Sequence, residues 1–386
     1  VALDLVGWLK QQAAFYQIPE HFVFAPDPWT GDAATRLRLL GSLYWKDLEL
    51  TAEFETLGLV QSPRESTGGG AASGGLFDTS SVMRPRLWDV DDRQSDGLTW
   101  RNNIDRLFVK IPVGPVDITV GRQAVSWGSA WFWKVTDRFS PFAPTDFDPD
   151  TKRGVDGLRA EIHLGDMTVL DLVATGERGP DRWNAGARFR TTLLGYDWAV
   201  SAARLGDDWM AGAEVAGQIG KVGVRGEAAW TWNVAREQWD LQAVAGADGA
   251  LPWKMKVAGE VFYNGYGVAD SEEYVDFLLD AVSPEPGRSH RLLRGETFHI
   301  GRYYLGLLVS QELHPLVQLV VSGISNVTDP SGMVMASLQW SIQQNVRLSA
   351  GGMVSLGQRP AANEITVPSE FGLYPGVGYM VLNIGF

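Results

Sequence analysis

Charged side chains recur along this chain at every second position, and that spacing limits the chemistry open to them. Arg36 and Arg38 precede Glu49, Glu53 and Glu55; Arg159, Glu161 and His163 form a second group, with Arg188 and Arg190, then Arg225 and Glu227, further on. Residues two apart share a face only in an extended strand. These groups can therefore pair across neighbouring strands or together create a field that selects charged solutes. The surface they define also takes Arg106, Lys110, Lys256, Arg302 and Arg347, balanced by Asp117, Asp171, Asp197, Glu214, Asp240, Glu260 and Glu312. Bases and acids nearly cancel there, so most of the net charge of −13 must belong to the connections.

Other chemistries fare worse. His163 has no serine following it on its own strand, His290 adjoins Ser289 by sequence only, and His21, His299 and His314 stand near strand ends or turns. Adjacency does not make a nucleophile and base, so no enzyme activity and no cofactor are expected. Asp146, Asp148 and Asp150 alternate like ligands of a hard cation but lack the Gly and distal Glu of a calcium loop. With no Cys, thiolate metal sites and covalently attached c-type haem are excluded. The acidic balance argues against a nucleic-acid partner.

The elements that would carry these charges read as β-strands. Leu48, Leu50, Ala52 and Phe54 oppose Glu49, Thr51, Glu53 and Glu55, and the same alternation recurs over 158–164, 187–193, 222–232, 255–263, 301–313, 336–342 and 380–386. Hydrophobic residues make up 45% of the chain, yet no run approaches the roughly 18–20 apolar residues of a membrane helix. A transmembrane barrel hides the same apolar content in alternation. Tight turns at Lys46-Asp47, Gly114, Gly165-Asp166, Gly195, Gly220-Lys221, Pro252-Trp253, His314-Pro315 and Gln344-Asn345 alternate with connections that are long over 61–98, 126–153, 264–299 and 357–375. This predicts an all-β, antiparallel transmembrane barrel: 17 strands from Thr35 onward and one over His21–Ala25, about 18 in all, with 16 as the alternative. Leu3–Tyr16 reads as a short amphipathic helix with Leu5, Trp8, Leu9 and Phe15 on its packing side. Residues 1–30 then form a periplasmic cap or lumen plug, and 31–386 the barrel. A secretory signal is expected to have been removed, and the leading segment is too short for a large energy-coupling plug. Trp45, Trp198, Trp209, Trp230, Trp232, Trp239, Trp253 and Trp340 fall near strand ends, where a membrane interface favours them.

Small inward residues, including Ala199, Ser201, Gly212, Ala229, Gly306 and Ser337, leave room in the lumen for water, a solute, an infolded loop or a guest polypeptide. The segment 121–156 is rich in rings and proline, with Trp127, Trp131, Phe132, Trp133, Asp137 and Arg138 followed by Pro141 and Pro144. Such a loop needs burial, either as a lumen constriction or packed outside the cell. A further external helix is expected over 271–282, with Tyr274, Phe277, Leu278 and Val282 on one side, and a Gly-rich tip over 62–75. Outward Gly217, Gly226, Gly259 and Gly323 suit either protomer contact or barrel curvature.

With its Trp-Gly bend at Trp127-Gly128, its Pro/Asp-rich loop and the returning strand after Lys152-Arg153-Gly154, segment 121–156 resembles porin-like outer-membrane proteins, including the alginate-export-like group and the porin component of porin–cytochrome conduits. The last residues, with Tyr379, Met380, Leu382, Ile384 and Phe386, look like the terminal strand by which Gram-negative outer-membrane barrels are recognised for assembly. The resemblance implies outer-membrane lipid and the barrel-assembly machinery as partners, and passive passage of small polar solutes or ions through a lumen narrowed by the loop. Its alternative is a structural sheath around a multihaem cytochrome, which would have to bring every haem. Solute and oligomeric state are not legible.

Overall fold

Alternation in the sequence becomes hydrogen-bonded strands wherever both faces have a suitable medium, lipid outside and a polar or packed interior inside. The computed structural model describes residues 2–17, 29–61, 92–95, 97–141, 152–176, 183–280, 290–360 and 366–386. Its strands are β1 (Ala2–Gln17), β2 (Trp29–Trp45), β3 (Leu48–Gln61), β4 (Asp92–Ser95), β5 (Leu98–Val113), β6 (Val116–Gln123), β7 (Val155–Gly165), β8 (Thr168–Gly176), β9 (Trp183–Leu193) and β10 (Tyr196–Leu205), followed by β11 (Asp208–Ile219), β12 (Val222–Asn233), β13 (Gln238–Leu251), β14 (Met255–Asn264), β15 (Tyr303–His314), β16 (Val317–Asn326), β17 (Ser331–Gln343), β18 (Val346–Leu356) and β19 (Gly376–Gly385). All pairings between them are antiparallel.

Apart from β4, which β3 skips to pair with β5, each strand pairs with its chain neighbours, and β1 pairs with both β2 and β19, which closes the sheet. The short β4 pairs with β5 only, alongside the part of β5 beyond its register with β6. The barrel wall therefore has eighteen strands, and β4 is an extra rung. All the predicted tight turns lie at one rim, the periplasmic one for barrels of this kind. At Leu194-Gly195 both residues have positive φ (55° and 80°), which a two-residue hairpin needs to match the twist of its strands.

The amino-terminal segment corrects the sequence expectation. Leu3–Tyr16 is not a helix but most of β1. Leu3, Leu5 and Phe15 face outward at 60–72% exposure, while Lys10, Gln12, Ala14 and Tyr16 are buried inside. Its apolar positions fit both periods, and closure decides between them. Without β1, the edges of β2 and β19 would leave unpaired backbone groups in lipid, at several kcal/mol each. The eighteenth strand thus lies at residues 2–17; the strand expected over His21–Ala25 falls outside the described residues, as does the Gly-rich tip. The helix expected over 271–282 is present as α1 (Tyr274–Asp280), with Tyr274 and Phe277 buried.

Outside, the wall is apolar with rings near its ends: Trp45, Trp198, Trp209, Trp230, Trp239, Trp253 and Trp340 are exposed, and the Trp232 ring lies tilted against Trp239 with centroids 5.4 Å apart. Arg204, on an outward position, lies 4.3 Å from the Trp183 ring centroid. At the seam, Gly7 and Phe386 exchange backbone hydrogen bonds of 2.7 and 2.9 Å. The Phe386 ring lies over Gly7 where a Cβ would stand 2.3 Å from it.

Candidate functional site: a loop docked across the lumen

After β6 the chain leaves the wall and turns inward through Ala124–Pro141. Within that stretch, residues 129–138 reach β12–β15, on the far side of the barrel. The far wall receives it with two inward carboxylates. Glu227 on β12 accepts hydrogen bonds from the backbone N–H groups of Ser129 and Ala130 (2.6 Å for Ala130) and of Thr136 (3.4 Å). Glu260 on β14 accepts from the N–H groups of Trp131 and Phe132, the latter at 2.8 Å. The loop backbone, which has no sheet partner there, thus finds acceptors on the wall, as buried N–H groups must. Thr136 Oγ1 donates to Glu214 at 3.0 Å, and the Arg225 guanidinium donates to the Ser129 carbonyl at 2.7 Å.

Aromatic packing completes the dock. Trp133 stacks on Phe262 at 5.1 Å, with His299 and Tyr304 at 6.0 and 6.2 Å. Trp127 meets Phe139 edge-on at 5.0 Å and donates its Nε1–H to Asp171 at 2.9 Å. The small inward residues are the sockets: a Cβ at Gly306 would lie 2.8 Å from Phe132, at Gly186 2.8 Å from Trp127, and at Gly212 3.1 Å from Thr136. Of the volume that the sequence left open to several occupants, this share is filled by the chain's own loop.

The predicted constriction residues separate by role. Trp127 and Trp133 are buried anchors. Asp137 pairs with Lys152 where the loop returns. Burial pushes the Asp137 carboxyl up and the Lys152 ammonium down, each partly offset by the other's charge. Arg138 donates to the Glu296 carbonyl at 2.7 Å and to the Gln242 side chain. Trp131 remains half exposed, with Arg225 4.8 Å from its ring centroid. Its Nε1 lies 3.5 Å from Asp248 on β13, and Lys134 is likewise exposed.

The wall charges form ion pairs along β2–β13. Arg38 stands among Glu53 (2.9 Å), Glu55 and Asp105 (3.5 Å), with Arg36 3.9 Å from Glu55. Arg159 binds Asp171 (2.8 Å) and Glu161 (3.0 Å), Arg188 binds Glu214 (2.5 Å), and Arg225 binds Asp248. His163 lies 3.4 Å from Asp117, and Glu49 accepts from Thr51. Arg190 faces inward beside them with no ion pair among the described residues. Arg302 sits at the mouth of β15 and donates to the Gly267 carbonyl at 3.0 Å. Several partners escaped the sequence reading. Asp105 is the extra residue of a β-bulge in β5, Arg122 and Asp156 form a buried pair at 2.7 Å, and Asp248 follows the alternation of β13. Only the last was legible by spacing alone.

Described parts of the loops after β14 and β18 pack beside the dock. Glu370 accepts from Tyr304 and Asn326 (2.8 Å) and lies 3.0 Å from His299 Nδ1. Arg291 binds Asp208 (2.8 Å) and Glu296 (2.6 Å). Their neighbours Tyr16, Leu57, Leu205, Phe262, Ile324, Met333 and Phe371 belong to one buried apolar cluster. Toward the short turns the inward side chains are far more exposed, as at His163 (50%). The described histidine side chains bond Asp117, Glu370 and the Leu316 N–H, none of them a serine hydroxyl. Asp146, Asp148 and Asp150 lie outside the described residues, and no cluster of potential metal ligands occurs among the described ones.

The sequence matches no protein-family model and no curated protein. Its architecture is similar to that of solved outer-membrane proteins. Pseudomonas aeruginosa OccK5 (OpdH) superposes with a TM-score of 0.59 at 8% identity, over 99% of this chain and 98% of that one. P. aeruginosa outer membrane protein OpdK gives 0.57 at 9% identity, over 99% of both chains. Acinetobacter baumannii OccAB4 gives 0.56 at 9% identity, over 100% and 98%. At such identities the likeness is one of fold, and it extends over the whole length of the chain: a closed, eighteen-strand antiparallel barrel.

Proposed function

We propose that this barrel sits in the outer membrane of a Gram-negative bacterium and gives small polar solutes or ions a passive route whose narrowest point is the docked loop 124–141. The observation that carries the proposal is the crossing itself, anchored on Glu227 and Glu260 at the opposite wall. A lipid-facing apolar belt supports the membrane setting, and the polar, ion-paired interior supports a passage. Charges paired in this way weaken the fixed field, so the loop's exposed Trp131 and Lys134 matter more to selection than the pairs on the wall. A sheath around a multihaem cytochrome needs a lumen free for the guest, and here the chain's own loop occupies that volume. The test is reconstitution of the purified chain into planar bilayers. Stable, ohmic conductance is the expected result. A folded barrel that stays silent, or that co-purifies from native membranes with a haem protein in its lumen, would overturn the proposal.

A further inference from the structure

Four residues below Glu260 on β14, ~13 Å along the strand toward the short turns, Lys256 projects into a recess of 380 Å³. The recess is bounded by β13–β18 and their periplasmic turns. Three of its side chains are cationic, Lys254, Lys256 and Arg347, and one, Glu312, is a carboxylate. Lys254 binds Glu312 and neutralises it. Lys256 and Arg347 have no ion-pair or hydrogen-bond partner among the described residues, in contrast to the paired arginines of the wall along β2–β13. The recess thus keeps two uncompensated positive charges.

Its neutral groups add donors. The Leu316 N–H donates to His314 Nδ1 at 3.2 Å, so the neutral imidazole carries its proton on Nε2. Gln318 and Gln339 lie opposite one another on β16 and β17, and Ser341 lies opposite Arg347 on β17 and β18. Since β-strand side chains alternate, Lys256, Ser310, Gln318, Gln339, Ser341 and Arg347 all project to the lumen side. Nothing else in the recess competes for the two cations.

We propose that this recess is an anion-binding subsite on the periplasmic side of the loop, suited to a small solute with two negative charges, either a dicarboxylate or a phosphate. Its role as a station on a solute route rests on the function proposed above; binding itself does not. Weak binding is expected, because exposed charge contacts contribute little and are screened by salt.

The test is titration calorimetry of the full chain in zwitterionic detergent at low ionic strength, with succinate and inorganic phosphate as separate probes and glycerol as the neutral control. Saturable binding of at least one anion is expected, about tenfold weaker in the K256Q/R347Q variant, where two exposed contacts are lost, and retained in the charge-conserving K256R/R347K variant. Preference for one probe identifies the acid group. Absence of saturable binding, or equal affinity in wild type and K256Q/R347Q, overturns the proposal. A barrel that binds anions but carries no current sinks the passage alone, whereas one that conducts but binds neither anion sinks the recess alone.

Discussion

Removing both carboxylates that hold the loop should release it from the far wall. Glu227 and Glu260 together accept four consecutive backbone N–H groups, Ser129 to Phe132, and both side chains are at least 96% buried. Hydrogen bonds to a charged group contribute about 1.5–3 kcal/mol each. A single Glu→Ala change therefore weakens docking by about 3–6 kcal/mol, and the stacking of Trp133 on Phe262 still opposes release. The double variant E227A/E260A loses at least about 6 kcal/mol, more than the ~5.5 kcal/mol that turns a 99:1 equilibrium into 1:99. In planar bilayers it should show larger and noisier conductance steps than wild type. Trypsin should cut after Lys134 or Arg138, where the docked chain is protected. Heat-modifiable migration on gels would show that the barrel still closes. Conductance and protection both unchanged in a folded double variant would refute the assignment of these carboxylates as the loop's anchor.

Other perturbations follow from the same contacts. Gly306→Val places a Cβ 2.8 Å from Phe132, so it should cost about 1–3 kcal/mol of docking and raise the open fraction in single-channel records, while Gly378→Ala, where a Cβ meets nothing within 4 Å, should not. Gly7→Leu collides with the Phe386 ring at 2.3 Å, and the expected outcome is loss of the heat-modifiable band, with Phe386→Ala in the same chain restoring part of it. Burial pushes the Tyr266 phenol above its usual value. Stability from that group is complete below the unfolded pKa of about 10 and is lost as pH rises from there through the folded value. Alkaline loosening of the outer loops, followed by hydrogen exchange, should accordingly shift upward in Tyr266→Phe.

Period-two alternation over most of the chain left a membrane barrel as the one architecture able to house both faces, and the eight tight turns marked one rim correctly. Those properties are local: a hairpin of known turn length forces adjacent strands to pair, and pairing forces alternate residues to opposite faces. The inward charges of β3, β7, β9 and β12 were legible for that reason. The first strand was not, because Leu5, Trp8 and Leu9 mark a helical stripe while Leu3, Leu5, Leu9 and Phe15 equally fit one strand face, and only the seam with β19 decides. Asp105 escaped because a bulge interrupts the count.

The ring-rich loop shows the same division. Composition alone led one to expect burial for Trp127, Trp131, Phe132 and Trp133, which Trp131 meets only by half, and the small residues at Gly212 and Gly306 announced space, but those segments lie far apart in sequence. Closure of the barrel brings them together, and the buried N–H groups of residues 129–132 then need acceptors that only Glu227 and Glu260 supply. Outside β1 and the bulge at Asp105, sequence by itself determined which strand residues face outward and which inward, since that depends on neighbours two apart. Tertiary structure decided which inward charges pair along the wall, which hold the loop, and which, at Lys256 and Arg347, remain free, because those outcomes depend on groups brought together across the lumen and between strands distant in the chain.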